Sequence, residues 1–154
     1  MYKKILVPLD GSELAKKALD QMEELAKAFD AEIILFQVVP LMPIYEYTEM
    51  IGAPIIDEKS KQSAERYLTD LADELKKRGF KVTARVKTGL QVAAEIIDFS
   101  KEKGVDLIVM STHGHSGITL WVLGSVARKV LTRAETPILL VHLKKERTTI
   151  KGYT

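Results

Sequence analysis

Runs that are apolar throughout alternate along this chain with segments whose apolar residues recur every three or four positions. The first kind comprises Lys3 to Leu9 (KKILVPL), Glu32 to Val39 (EIILFQVV), Val105 to Ser111 (VDLIVMS) and Ile138 to Leu143 (ILLVHL). Runs of this length suit strands buried on both faces, and the longer spacing suits amphipathic helices. Leu14, Ala15, Ala18, Leu19, Met22, Leu25, Ala26 and Phe29 make a first helical face, with Ser12 at the N-cap and Asp30-Ala31 as its end. Ala64, Tyr67, Leu68, Leu71, Ala72 and Leu75 make a second, closing at Arg78-Gly79. Thr88-Gly89 turns into a third, which carries Val92, Ala93, Ile96, Ile97 and Phe99. A fourth carries Val126, Ala127, Val130 and Leu131 and runs to about Arg133. Phe80 to Lys87 (FKVTARVK) alternates apolar and polar residues, as a strand half exposed or near an edge does.

Strand and helix in strict alternation predict a single-domain α/β fold. The sheet is open, parallel and five-stranded, with right-handed crossovers and helices on both faces. The sequence does not give the strand order. In the common five-stranded arrangements the first strand is central, with its tip beside that of the third or fourth. Ligands of such sheets sit beyond the carboxyl ends of the strands, where the order reverses. Asp10-Gly11-Ser12, Val39-Pro40, Thr88-Gly89 and the stretch after the fourth strand are therefore the places to look.

With 154 residues, 46% hydrophobic and 29% charged, the chain suits one core. The domain is expected over 1–144, with a polar tail over 145–154. The absence of cysteine excludes disulfides, thiolate metal sites and cysteine nucleophiles, and fits a cytoplasmic location. The start, MYKKILVPLDGS, is too short in apolar residues for a signal peptide. No apolar run approaches the roughly 18 residues of a membrane span. The formal charge is +2, and the basic groups Lys76-Lys77-Arg78 and Lys144-Lys145 with Arg147 lack interleaved aromatics. They read as solvated, so neither nucleic acid nor membrane is an expected partner. The connection from Pro40 to Asp57, with Pro43, Pro54, Gly52, Tyr45 and Tyr47, is of a length that is more often functional or mobile than idle.

The stretch STHGHSGITLWVLGS, residues 111–125, carries the richest chemistry. His113 and His115 lack adjacent carboxylates or further imidazoles, which disfavours zinc. Gly114-His115-Ser116-Gly117 is one residue short of a nucleophile elbow, and His142 lies inside a strand pattern, which disfavours a serine hydrolase. A phosphate site fits better. Gly114 permits close backbone approach, and Gly124-Ser125 stands where a helix begins. A glycine inside a helix costs about 1 kcal/mol relative to alanine, so this pair is easier to place at a helix start. Ser125 there caps the helix, binds phosphate, or does both. Neither a Walker loop nor the G-x-G-x-x-G fingerprint is present.

These residues also carry a resemblance. The sequence is similar to the ATP-binding branch of the universal stress protein family, which is marked by glycine, two residues, glycine, nine residues, then glycine and serine or threonine. This chain has Ser111-Thr112-His113-Gly114, nine residues, and Gly124-Ser125. KKILVPLDGS, EIILFQVV, GVDLIVMSTHG, LGSVARKVL and TPILLVHL extend the likeness over nearly the whole chain. Ser111 departs from the motif's first glycine and fits only where its backbone is unstrained.

The resemblance implies a Rossmann-like fold of the adenine nucleotide alpha hydrolase type. It implies that Asp10 contacts the adenosine end, with Pro8 and Leu9 as wall, that the Val38 backbone reads adenine and that Met110 packs near the base. Gly114, Gly124, Ser125 and Val126 would hold phosphates, with Ser111, Thr112, His113, His115 and Ser116 in the surrounding loop. The implied ligand is ATP with Mg²⁺ riding on its phosphates. The implied assembly is a homodimer through the last strand, Ile138 to Leu143, regulating a protein partner in the stress response with at most slow hydrolysis. From the residues themselves, Asp10 also suits a turn that caps the first helix, and Val38 and Met110 suit ordinary core packing. A nucleotide-processing enzyme, an ATPase or nucleotidyl transferase, and a dimerisation module without nucleotide are the competing functions.

Overall fold

In the computed structural model the chain is described over residues 1–41, 56–112 and 123–142. Its elements in order are β1 (Lys4–Leu9), α1 (Glu13–Lys16), α2 (Ala18–Phe29), β2 (Glu32–Pro40) and α3 (Glu58–Lys77). There follow β3 (Lys81–Gly89), α4 (Val92–Lys103), β4 (Leu107–Ser111), α5 (Ser125–Arg133) and β5 (Ile138–Val141). The five strands form one sheet in the order β3-β2-β1-β4-β5, and every pairing is parallel. β1 is central, and the order reverses between β1 and β4. That reversal fixes the crevice at the carboxyl ends of those two strands.

Two apolar layers cover the sheet because side chains alternate along each strand. Ile5, Val7, Ile33, Leu35 and Val109 face α2 and α3, meeting Met22, Leu68 and Leu75. Leu6, Ile34, Phe36, Ile108 and Met110 face α4 and α5, meeting Ile96, Phe99 and Val130. β3 is an edge strand with its side chains alternately buried and open, as FKVTARVK predicts. β5 holds the other edge, its four residues half-buried.

Several boundaries differ from expectation. The first helical face is divided at Lys17, which keeps helical dihedrals (φ −64°, ψ −21°) while the regular ladder lapses between α1 and α2. Thr88-Gly89 is strand, not turn: Val39 and Pro40 pair with them in register, and the Leu41 N–H donates to the Gly89 carbonyl at 2.9 Å. Leu131 is 46% exposed, so α5 buries a narrower face than its periodicity predicts. β5 ends at Val141, leaving His142 beyond it and Leu143 outside the described residues.

One contact ties the sheet's amino end together. The backbone N–H groups of Lys3 and Lys4 donate to Asp106 Oδ2 at 2.8 and 2.9 Å, fastening the start of β1 to the approach to β4. Those bonds hold the Asp106 carboxyl below the usual carboxylate range. A carboxyl depressed in the folded state stabilises above its unfolded pKa and loses that effect as pH falls through the folded one. Asp106→Ala is therefore expected to melt below the parent at pH 7. The gap should close as pH falls through and below about 4, and a gap independent of pH would refute the charge's role.

Candidate functional site

The first turn after β1 is built from its own side chains. Asp10 Oδ1 accepts from the Ser12 N–H at 2.9 Å and from the Ser12 hydroxyl at 2.5 Å. Ser12 Oγ in turn accepts from the Ala15 N–H at 3.1 Å, capping the helix as its position predicts. Gly11 between them has φ +81°, a conformation that a Cβ strains. Asp10 is thus a turn-former, and the same turn places it on the wall of the crevice.

On the other side of the crevice, β4 and α5 are latched together. The Gly124 N–H donates to the Thr112 carbonyl at 2.9 Å, and the Thr112 N–H donates to the Val141 carbonyl at 3.1 Å. Residues 113–122 lie outside the described residues, so His113, Gly114, His115 and Ser116 are not placed. Gly124 is itself the N-cap of α5 (φ −55°, ψ 152°), and Ser125 is the first helical residue. The expectation that Ser125 caps the helix is corrected accordingly. The opening N–H groups of an α-helix have no partner within it. With that of Gly124 committed to Thr112, those of Ser125, Val126 and Ala127 remain at the helix mouth. Ser111 ends β4 with a negative φ; Asp30 is the only non-glycine residue with positive φ among the described residues. Serine in place of glycine at 111 is therefore free of backbone strain.

Both turns open onto one cavity of about 830 Å³ at the reversal point. Pro8, Leu9 and Asp10 line it from β1, and Val38 from β2. Met110, Ser111 and Thr112 line it from β4, and Gly124, Ser125 and Val126 from α5. The described residues that the resemblance assigns to the nucleotide are thus brought to one place, whereas Ser12, Thr88, Gly89 and His142 do not line it. Val38 and Met110 are also buried against α4 and α5, so packing and lining coincide there.

Sequence reasoning missed the wall contributed by Gln37 and by Ser60, Ser63 and Tyr67 of α3. The signals were present. Gln37 is the one amide in the apolar run EIILFQVV, and Tyr67 places a phenol on the apolar face of its helix. Gln37 Oε1, Tyr67 OH and Thr112 Oγ1 are all buried without a hydrogen-bond partner among the described residues, and all three residues line this cavity. Buried polar atoms without partners cost free energy, so three at one cavity give it a wall able to hydrogen-bond a polar ligand or water. Among the described residues no group of three or more His, Cys, Asp or Glu is gathered for a metal, and no helix is long and apolar enough to cross a membrane.

Comparison with known proteins agrees with this fold. The sequence profile of the universal stress protein family matches residues 1–142. Universal stress protein MJ0531 of Methanocaldococcus jannaschii is 34% identical over 146 residues, covering 95% of this chain and 85% of its own. The solved structure of MJ0577, from the same organism, superposes with a TM-score of 0.69 at 29% identity, covering 95% of this chain and 99% of that one. A universal stress protein solved in complex with cAMP shares the fold at 24% identity and a TM-score of 0.67, covering 92% and 97%. Profile, relatives and open five-stranded sheet agree: the chain belongs to the universal stress protein family.

Proposed function

We propose that this protein binds ATP in the crevice between β1 and β4 and acts as a nucleotide-dependent regulator in the stress response. The observation that carries the reading is the convergence of the α5 amino terminus and the orphaned Thr112 hydroxyl on one rim of the cavity. Unpaired N–H groups and the helix dipole favour an anion there, and a hydroxyl beside them adds a donor suited to phosphate oxygen. The wall of Pro8, Val38, Met110 and Ile96 is apolar and suits a flat base. Asp10, Leu9 and the Val38 backbone are assigned to the adenosine end, and Ser111 to Ser116 with Ser125 and Val126 to the phosphate end. The cAMP of the fold neighbour is an adenine nucleotide too, but for this chain the reading rests on its own cavity. Mg²⁺ is proposed to ride on the phosphates and keep most of its waters, needing few protein ligands.

The regulator is proposed to be a cytoplasmic homodimer paired through β5. β5 is an edge strand whose Pro137 and Val141 carbonyls bond inward to β4. Alternation then turns the Leu140 backbone groups outward, an open edge that a second copy can complete.

Denaturing the purified protein and chromatographing the supernatant is expected to release adenine nucleotide. Added ATP is expected to raise the melting temperature of nucleotide-free protein, by about 2.7 kcal/mol of stabilisation at a hundredfold excess over Kd. Sedimentation of the same sample is expected to show a dimer. No co-purified nucleotide and no ATP-dependent rise would overturn the binding reading; steady turnover of added ATP would replace the regulator with an enzyme. A monomer would overturn the β5 pairing alone.

A further inference from the structure

The cavity reaches both faces of the sheet, and the two lobes differ in chemistry. Val38, Met110, Val126 and Ala127 belong to the face covered by α4 and α5, where the helix mouth lies. Gln37 belongs to the other face. Ile33 and Leu35 point toward α2 and α3 while Ile34, Phe36 and Val38 point toward α4, so alternation carries Gln37 with Leu35. Tyr67 packs against that same layer, and Ala15, Ser60 and Ser63 complete the lobe.

The orphaned atoms there define what they accept. Gln37 Oε1 is an acceptor, and its amide nitrogen lies beneath the first turn, 3.8 Å from where a Cβ on Gly11 would stand. Burial, with the charges of Glu13 and then Asp10 nearby, pushes the Tyr67 phenol above its ordinary range. The phenol therefore stays protonated and donates. Those same two carboxylates disfavour an anion on this side of the cavity, which excludes the phosphates from the lobe. An adenine edge also pairs a donor, its N6 amine, with an acceptor, N1 or N7, but the base is assigned to the apolar wall of Val38, Met110 and Ile96 on the other face of the sheet. A hydroxyl both donates and accepts, and matches the pair.

We propose that Gln37 and Tyr67 are specificity-determining residues that read the ribose hydroxyls of the bound nucleotide. The assignment rests on the adenine-nucleotide reading above and orients the ligand within it: sugar toward α3, phosphates toward α5. Neither side chain belongs to the glycine-spaced motif of the ATP-binding branch, although Gln37 lies in EIILFQVV, one of the stretches that extend the likeness.

Calorimetric titration with ATP and with 2′,3′-dideoxy-ATP tests the assignment on the parent, Tyr67→Phe and Gln37→Leu. The parent is expected to bind ATP at least about tenfold more tightly than the dideoxy analogue, because a site built for a hydroxyl rejects a ligand lacking it. Each variant is expected to lose most of that preference by weakening ATP, while its affinity for the analogue stays within about twofold of the parent's. Tyr67→Phe keeps the ring's packing, so it reports even where Gln37→Leu folds poorly. A parent without preference, or variants that retain it, would overturn the proposal. Variants that melt lower yet keep the preference would instead place Gln37 and Tyr67 in a bond with each other. Failure of the parent to bind either compound would remove the nucleotide reading itself, and this assignment with it.

Discussion

Gly124→Val is expected to weaken ATP binding at least about a hundredfold while the protein stays folded. Gly124 has φ −55°, so no backbone strain forbids a side chain. Space does. A Cβ built on Gly124 lies 3.3 Å from the Thr112 carbonyl oxygen, the same atom that receives the Gly124 N–H at 2.9 Å. Backbone cannot swing aside as a flexible side chain can, and valine adds two methyl groups beyond the Cβ. The latch must open, and with it the start of α5 moves, carrying the N–H groups of Ser125, Val126 and Ala127. Hydrogen bonds to charged groups contribute about 1.5–3 kcal/mol each, so losing two of them accounts for a hundredfold or more. The cost to the fold is smaller. Exchanging glycine for an apolar residue at an N-cap costs on the order of 1 kcal/mol, and Ala127 and Val130 still anchor α5 in the core. Gly124→Ala, with only the Cβ to accommodate, is expected to lose less. Unchanged ATP affinity in the valine variant would refute the phosphate assignment at this helix.

The fold was legible because periodicity reports burial directly. Strands buried on both faces, such as ILVPL and LIVMS, have no polar alternation to mislead, and the alternation of FKVTARVK marked an edge that the sheet confirms. Boundaries were less legible, because pairing partners decide them. Thr88-Gly89 has the composition of a turn, yet β2 continues opposite and holds it as strand. The site divides the same way. Residues just after β1 and β4 could be found from topology and from glycine spacing. Gln37 and Tyr67 showed in the sequence only as polar groups within apolar patterns; their importance lies in having no partner, and only packing shows which polar atoms are left over. The role of Gly124 likewise changed: its N–H is spent on the Thr112 latch rather than facing a ligand, so its neighbours at the helix mouth must do the binding.

The largest loss of stability is expected from Phe36→Ala. Phe36 is 1% exposed on β2 and stacks on Phe99 of α4, with ring centroids 4.3 Å apart and planes 16° from parallel. Leu6, Ile34, Ile96 and Ile108 belong to the same layer. Truncating a buried phenylalanine to alanine costs about 3–5 kcal/mol, from lost transfer energy and from the cavity left behind. Exposed ion pairs such as Lys81 with Asp30 contribute roughly 0–1 kcal/mol each, so no plausible gain at the surface offsets it. Against a total of about 5–15 kcal/mol the variant is left marginal. Its melting temperature should fall by about 6–20 °C, at roughly 2–4 °C per kcal/mol for a chain of this size. Urea titration should show a lower midpoint with an unchanged slope, since the surface exposed on unfolding is nearly the same. Function should separate from stability here. Ile96 links the Phe36 layer to the cavity wall, but the α5 mouth, Gln37 and Tyr67 do not depend on the Phe36 ring. ATP affinity measured well below the melting point is therefore expected to fall by less than about tenfold. A hundredfold loss of affinity with little change in the urea midpoint would mean that the stacked pair shapes the site directly, and that the two lobes are not mechanically separable from the core between them.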